Sequence, residues 1–382
     1  MQSYQPNPSQ HTPPTFLPKR HRVVVIGDVH GDLALLIGML KLAKIIDSTG
    51  QWIGKDAAVV QLGDQIDDSR IGHDEPNHNT KTQSNSKFKP KHDIFQDTMI
   101  IDYMDQLATR ALQHQGLVIN LIGNHELMNV CGNYSYVSFL SYYHYKYHDI
   151  VTRKVYVGND GRAKSFQRGV GPLALNLANH RQAVVVIGKS LFVHAGFLAD
   201  TVHVLEEANQ LNRASATQVQ AQTQASTSQA SARHHLEIFN DLVRLWLLKK
   251  LDNTIADDYV TEFIRSANSP FWTRIFGNIP TNTRLGVGDC KDYVKPVLDL
   301  LDIDRIFCGH TPQANGINGT CTDDDGMPTL YRVDGGFAEC FSDLDVTNRT
   351  SQSNQSKGSK PKKRKRPQLF EIIDDAVVNL IE

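Results

Sequence analysis

The chain has 382 residues, 40% of them hydrophobic, enough for one large domain or two ordinary ones around a sizeable core. Its formal net charge of −1 hides an asymmetry: seven basic residues fall at 357–366, which leaves the remainder at about −8. That acidic body argues against a nucleic-acid groove, and no run approaches the ~18 consecutive apolar residues that would read as a membrane span.

In chain order, residues 1–20 are rich in Pro, Gln and Ser, lack the apolar run of a secretory signal, and read as a disordered N-terminal segment. A β-branched strand at 23–26 ends in Gly27-Asp28-Val29-His30-Gly31-Asp32. A helical pattern follows over 33–46, with Asp32 placed to cap it. The strand at 57–62 ends in Gly63-Asp64-Gln65-Ile66-Asp67. Helical periodicity over 94–115 precedes a strand at 117–122, which leads into Gly123-Asn124-His125-Glu126. Later strands are expected at 183–187, 191–193, 305–308, 330–333 and 369–373. The second of these runs into His194-Ala195-Gly196 and the third into Gly309-His310-Thr311. Helices are expected at 235–250 and 259–266, the first presenting Leu236, Phe239, Leu242, Val243, Trp246 and Leu247 on one core-facing stripe. The β-α-β-α-β alternation predicts parallel strands with helices outside and ligands at the strands' carboxyl ends.

Three polar stretches interrupt this pattern, at 69–92, 214–232 and 342–367. Each has too little apolar surface to offset its ordering entropy. The expected organisation is a catalytic domain over 21–341 with disordered insertions at 69–92 and 214–232. A disordered basic linker at 342–367 then precedes a C-terminal strand, in 368–382, that returns to the domain. The five cysteines, Cys131, Cys290, Cys308, Cys321 and Cys340, include no C-x-x-C pair and read as reduced thiols of an intracellular protein. The run Lys362–Arg366, set between Pro361 and Pro367, resembles a monopartite nuclear import signal. An import receptor is therefore an expected partner, with a cytoplasmic and nuclear distribution.

Any one of the five short motifs is weak evidence. An aspartate after a strand is more often a turn former, and a single histidine more often a satisfied core residue. Their occurrence in order, each behind an apolar run, is what carries weight. Together they supply the donors of a paired divalent-metal site. Asp28 and His30 alternate at a strand end and can bind one cation. Asp64 can bridge two, and Asn124, His194 and His310 would complete the second. Two cations ~3.5–4 Å apart lower the pKa of a shared water and hold the attacking and leaving oxygens of an in-line displacement. Mn²⁺, placed first, Fe and Zn²⁺ all suit these ligands.

The set resembles the metallophosphoesterase (calcineurin-like) superfamily, and specifically its phosphoprotein-phosphatase branch, whose pattern is GDxHG, GDxVDRG, GNHE, HGG and GH. Between the motifs, Gly171-Pro172-Leu173-Ala174, Ser269-Pro270-Phe271-Trp272-Thr273-Arg274 and Arg332-Val333-Asp334-Gly335-Gly336 are similar to the Shewanella-like protein phosphatases. The likeness covers roughly 22–341 outside the insertions. It implies an α/β fold of four layers, α/β/β/α, with Asp28, His30 and Asp64 on one metal and Asp64, Asn124, His194 and His310 on the other. It also implies that His125 protonates the leaving oxygen while Asp67 orients and charges it. Glu126 reads as a first-turn helix residue rather than a ligand.

One departure matters. The branch places Arg after the second-motif aspartate to grip the phosphate, but here Asp68 stands there, followed by Ser69 instead of Gly. Losing that clamp would cost about 3 kcal/mol of transition-state stabilisation, and Asp68 would repel phosphate. Arg70, Arg168 and Arg274 are the candidate replacements, with Arg274 favoured for its Phe-Trp-Thr-Arg setting. Ala195, where glycine is more usual, adds only a methyl group. The expected function is a metal-dependent phosphomonoester hydrolase acting on phosphorylated protein. The alternatives are a dinucleoside-polyphosphate or other small-molecule phosphoesterase and, because of Asp68, a catalytically weak metal-binding scaffold for phosphorylated partners.

Overall fold

The β-branched runs of the sequence become the centres of two six-stranded sheets. The computed structural model describes residues 14–70, 97–143, 145–213, 229–341 and 365–382. In the first sheet Arg22–Ile26, Ala58–Gln61 and Leu117–Leu121 lie parallel, with Val24, Val59 and Val118 in register. Nearly every residue of these strands is buried, as a parallel sheet covered on both faces requires. Leu369–Ile373 pairs antiparallel with Arg22–Ile26, Val377–Ile381 forms the outer edge, and Arg181–Gln182 closes the opposite one. In the second sheet Ser190–Val193, Arg305–Cys308 and Pro328–Arg332 are parallel, flanked by antiparallel Val184–Ile187 and Asn318–Thr322.

The sheets meet through an aromatic stack. Phe192 lies against Phe307 (5.1 Å between centroids), Phe307 against Tyr331 (4.7 Å), and Tyr331 edge-on to Phe370 (5.2 Å). Leu33–Leu42 and Met99–Leu112 share the core of the first sheet, and Gln229–Leu247, Thr254–Arg265 and Lys295–Leu301 that of the second. This is the four-layer α/β/β/α arrangement, and it aligns the carboxyl ends of five strands along one rim.

Several sequence expectations change in detail. Asp32 does cap its helix, accepting from the Leu35 N–H at 2.8 Å, but the helix stops at Leu42. Lys44 takes a left-handed turn (φ 53°), and Ile46 bridges to Trp52 instead. Helices Pro172–His180 and Thr201–Arg213 were not anticipated. Within the segment 1–20, read as disordered, Phe16–Leu17 pairs with Val186–Ile187; residues 1–13 lie outside the described residues. Most of the two polar insertions also lies outside them, although the helix beginning at Gln229 enters the second.

The cysteine reading needs correction. Cys290 and Cys321 form a disulfide with Cα atoms 5.5 Å apart, while Cys131, Cys308 and Cys340 are free. The fold makes this pairing possible: Arg284 bridges to Thr322 and Leu285 donates to the Thr322 carbonyl, drawing the 284–294 segment onto the edge strand. The inference from reduced thiols to an intracellular setting therefore loses its premise. The basic run is also not wholly free. Lys365 donates to the carbonyls of Gln313 (3.0 Å) and Gly335 (2.9 Å), while 362–364 fall outside the described residues. No helix among the described residues is long and apolar enough to cross a membrane.

Candidate metal centre

The five motifs occupy the loops that leave strands Arg22–Ile26, Ala58–Gln61, Leu117–Leu121, Ser190–Val193 and Arg305–Cys308. Hydrogen bonds between loops hold them together. His30 N–H donates to the Asp64 carbonyl (3.0 Å), Gly31 N–H to that of Gln65 (2.8 Å), and His310 N–H to the Asp28 carboxylate (3.0 Å). Glu126 fastens the second motif to the third, accepting from the backbone N–H groups of Gly123 (2.7 Å), Gln65 (2.8 Å) and Asp64 (3.0 Å). Its role is thus structural, as its first-turn position suggested. His30, Asp64, Asp67 and His310 all have positive φ, an uncommon conformation for non-glycine residues that persists only where surroundings over-determine it. Gly123 permits the closest approach, because a Cβ there would lie 2.2 Å from Asp64 Oδ1.

These constraints bring all six expected ligands together in buried positions. Asp64 turns one oxygen each way. Its Oδ2 lies 3.9 Å from His30 Nε2 and its Oδ1 3.4 Å from His194 Nε2. Asp28 Oδ2 is 3.8 Å from His30 Nε2, and Asn124 Oδ1 is 2.9 Å from His194 Nε2. Two donor triads result, His30 with Asp64 and His125, and Asp64 with His194 and His310, each with its donor atoms within 4.8 Å of one another.

Apart from the Asn124–His194 contact, which is a hydrogen bond, the 3.4–3.9 Å spacings suit cations better than hydrogen bonds. Two ligands on one ion, each at about 2.0–2.2 Å, stand about 3–4 Å apart, whereas N–H···O bonds close to about 2.7–3.2 Å. Tautomers agree. His194 Nδ1 donates to the Leu62 carbonyl (2.8 Å) and His310 Nε2 to that of Trp272 (3.1 Å), so a bound ion would take the other ring nitrogen of each, His194 giving up the proton that Asp64 and Asp28 otherwise hold on it. His30 Nδ1 is buried without a partner.

The site's charges are unbalanced. Burial, reinforced by Asp334, drives the Asp28 carboxyl well above its usual range. Burial would do the same to Asp64, but His194 and His125 hold it well below. Burial also opposes charge on His194, yet Asp64 and Asp28 outweigh it and push that imidazole up to about 9. Burial keeps His30 and His310 neutral, aided by Arg70 at His30 and by His194 at His310. The carboxyls of Asp28, Asp64 and Asp334 act on one another in this buried space, and bound divalent ions would offset that crowding.

His125 faces the same space. Its Nδ1 bonds the Asp67 carboxylate at 2.8 Å and its Nε2 points to Asp64 Oδ2 at 3.7 Å. Burial disfavours its charge, but Asp64 and Asp67 raise its pKa above the ordinary imidazole value. Behind this pair lies a residue the sequence did not reveal. Arg162, fully buried, bonds Asp67 Oδ1 (3.1 Å), both oxygens of Asp97 (2.9 and 2.7 Å) and Asn129 Oδ1 (2.5 Å). Asn129 donates to Asp67 at 2.8 Å, and Asp97 accepts from the Asp67 N–H at 3.0 Å.

The arginines are distributed unevenly. Arg70 extends over Phe341 at 4.1 Å, and its charge acts on His30 and His125. Exposed Arg274 donates to the His310 carbonyl (3.4 Å) and lowers the His310 pKa together with burial and His194. Arg168 is not brought to the centre: it is engaged with Asp257, the Trp246 carbonyl (2.7 Å) and the Trp246 ring. Asp68 is hydrogen-bonded within its own neighbourhood. Its carboxylate accepts from Ser138 N–H (2.9 Å), Ser138 Oγ (2.8 Å) and Ser141 Oγ (2.6 Å), anchoring the 138–143 segment. That removes the main reason for the scaffold alternative.

Comparison with known proteins agrees with this geometry. The calcineurin-like phosphoesterase family matches residues 21–314. Shewanella-like protein phosphatase 2 of Arabidopsis thaliana is 25% identical over 362 residues, covering 86% of this chain and 74% of that protein. An uncharacterized protein of Acanthamoeba polyphaga mimivirus is 36% identical over 244 residues, covering 63% and 88%. Among solved structures, the cold-active protein-tyrosine phosphatase of a psychrophilic Shewanella species superposes with a TM-score of 0.55 at 17% identity, covering 98% of this chain and 84% of that one. The chain belongs to the calcineurin-like phosphoesterase family, as a metallophosphoesterase hydrolase, and among its relatives it is similar to Shewanella-like protein phosphatases.

Proposed function

We propose that the chain hydrolyses phosphomonoesters on phosphorylated protein, using a pair of divalent metal ions. Asp28, His30 and Asp64 would hold one ion, and Asp64, Asn124, His194 and His310 the other. Bound there, such ions polarise phosphoryl oxygens and acidify water. The chain's own groups do the rest. His125, its pKa raised by Asp64 and by its bond to Asp67, would deliver a proton from Nε2 to the departing oxygen. Arg162 fixes Asp67 and through it the imidazole plane. Arg70, whose charge reaches His30, and Arg274, whose charge reaches His310, would hold the phosphate. Arg168 contributes nothing to that grip.

The observation that carries this reading is the His125–Asp67 bond of 2.8 Å set beside Asp64, whose two oxygens face His30 and His194 with Asp28 and Asn124 close by. Purified chain supplied with Mn²⁺ is expected to hydrolyse p-nitrophenyl phosphate and phosphopeptides, with chelation or Asp64→Asn abolishing both. Full activity in the Asp64→Asn variant would reject the reading.

A further inference from the structure

We propose that the cleft at the far end of the Asn124–Val130 helix binds an anionic side chain of the substrate, about three residues from the phosphorylated one. The inference rests on the phosphoprotein reading of the metal centre. The cleft has a volume of about 620 Å³, within the range of ligand sites, and its lining includes Cys131, Tyr134, Tyr156, Lys164, Arg168 and Lys249. Three cations thus face one acidic residue of the lining, Asp160, on a chain whose body is otherwise acidic. Asp257 already meets the charge of Arg168. Lys164 and Lys249 are exposed and, among the described residues, neither forms an ion pair. The Lys164 ammonium lies 5.7 Å from the centre of the Tyr156 ring, and its charge reaches Asp149 without forming an ion pair with it among the described residues.

The distance follows from the helix. Asn124 and His125 stand at its N-terminal end in the metal centre, whereas Val130 and Cys131 at its other end line the cleft. Seven residues at ~1.5 Å each put the helix ends about 10 Å apart, so an extended peptide at ~3.3 Å per residue needs at least about three residues to reach from one to the other. A carboxylate and a second phosphate share the required chemistry. Exposed ammonium groups recognise either through charge, with a gain that salt screens.

The test uses the full chain with Mn²⁺ and phosphopeptides carrying Gln, Glu or a second phosphoserine three positions to either side of the scissile phosphate. Relative to Gln, Glu or phosphoserine on one side is expected to lower KM about fivefold at low salt, an advantage lost at high salt. The ordering of those two peptides identifies the preferred source of the anion. The paired variant Lys164→Glu/Lys249→Glu is expected to reverse the preference, favouring a peptide with Lys at that position. Equal KM values for the three peptides, or a preference unchanged in the charge-reversed variant, would overturn the proposal. Hydrolysis of p-nitrophenyl phosphate by the same preparations reports on the metal centre alone. If that fails, the phosphatase reading fails. Fluorescence anisotropy of labelled Glu and Gln phosphopeptides on the metal-free chain then still decides the cleft, since equal affinities would refute it.

Discussion

Arg162→Met is the most informative single change. The substitution keeps much of the buried stem and removes the guanidinium, which has no exposure and makes four hydrogen bonds to Asp67, Asp97 and Asn129. Asp97 then remains buried without its bidentate partner, and Asp67 keeps only the Asn129 amide on Oδ1. Breaking a buried pair from one side costs about 3–5 kcal/mol, most of it from the stranded charge. The pH dependence has a definite sign. Burial alone would raise the Asp97 pKa, but Arg162 more than offsets it, so the folded value lies below the usual carboxylate pKa. In the native chain Asp97 therefore contributes stability above its unfolded pKa, and the contribution is lost as pH falls through the depressed folded value. In the variant that pKa rises instead, and the folded state takes up a proton sooner than the unfolded one. The penalty should be largest near about pH 7.5 and shrink toward about pH 5. Urea unfolding at both pH values measures it. Activity should fall about 10–100-fold as His125 loses its fixed orientation, by analogy with the partners that orient metal-ligating histidines. A destabilisation below about 1 kcal/mol, equal at both pH values, would refute the ionised Asp67–Arg162–Asp97 arrangement.

Other perturbations separate the remaining roles. His125→Ala should slow hydrolysis of phosphoserine peptides by about 10²–10⁴-fold, but that of p-nitrophenyl phosphate less, because p-nitrophenolate leaves without needing a proton; equal losses would contradict a general-acid role. Asp68→Ala removes the acceptor of Ser138 and Ser141 and should cost about 1–3 kcal/mol in urea unfolding without raising kcat/KM, whereas a more active, equally stable variant would show that Asp68 does repel substrate. Replacing Cys290 and Cys321 by serine opens a loop of sequence separation 31 and should lower stability by about 3–4 kcal/mol, which identical unfolding curves for the two proteins would contradict.

The candidate metal ligands were legible because each obeys a local rule. A β-branched run predicts the strand, a glycine permits the turn, and a carboxylate, amide or imidazole just beyond it sits at the rim. What escaped was chosen by tertiary contact. Arg162 lies in Gly158–Ser165, a helix with no apolar face to mark it, and it becomes buried only because Asp67 and Asp97 await it from 95 and 65 residues away. Asp68 has the residue type that suggests phosphate repulsion, but its serine partners lie about 70 residues on. Pro172–His180 starts with Gly-Pro, which reads locally as a turn yet suits a helix's first position. The cysteine pair had no spacing to announce it, since an edge strand and a distant helical turn bring it together.

The most direct test counts metal. Equilibrium dialysis of purified chain against Mn²⁺, followed by elemental analysis, should find two ions per native chain and at most one in Asp64→Asn, because that carboxylate turns an oxygen toward each donor set. A single ion in the native chain, or two retained by the variant, would contradict a centre built around Asp64.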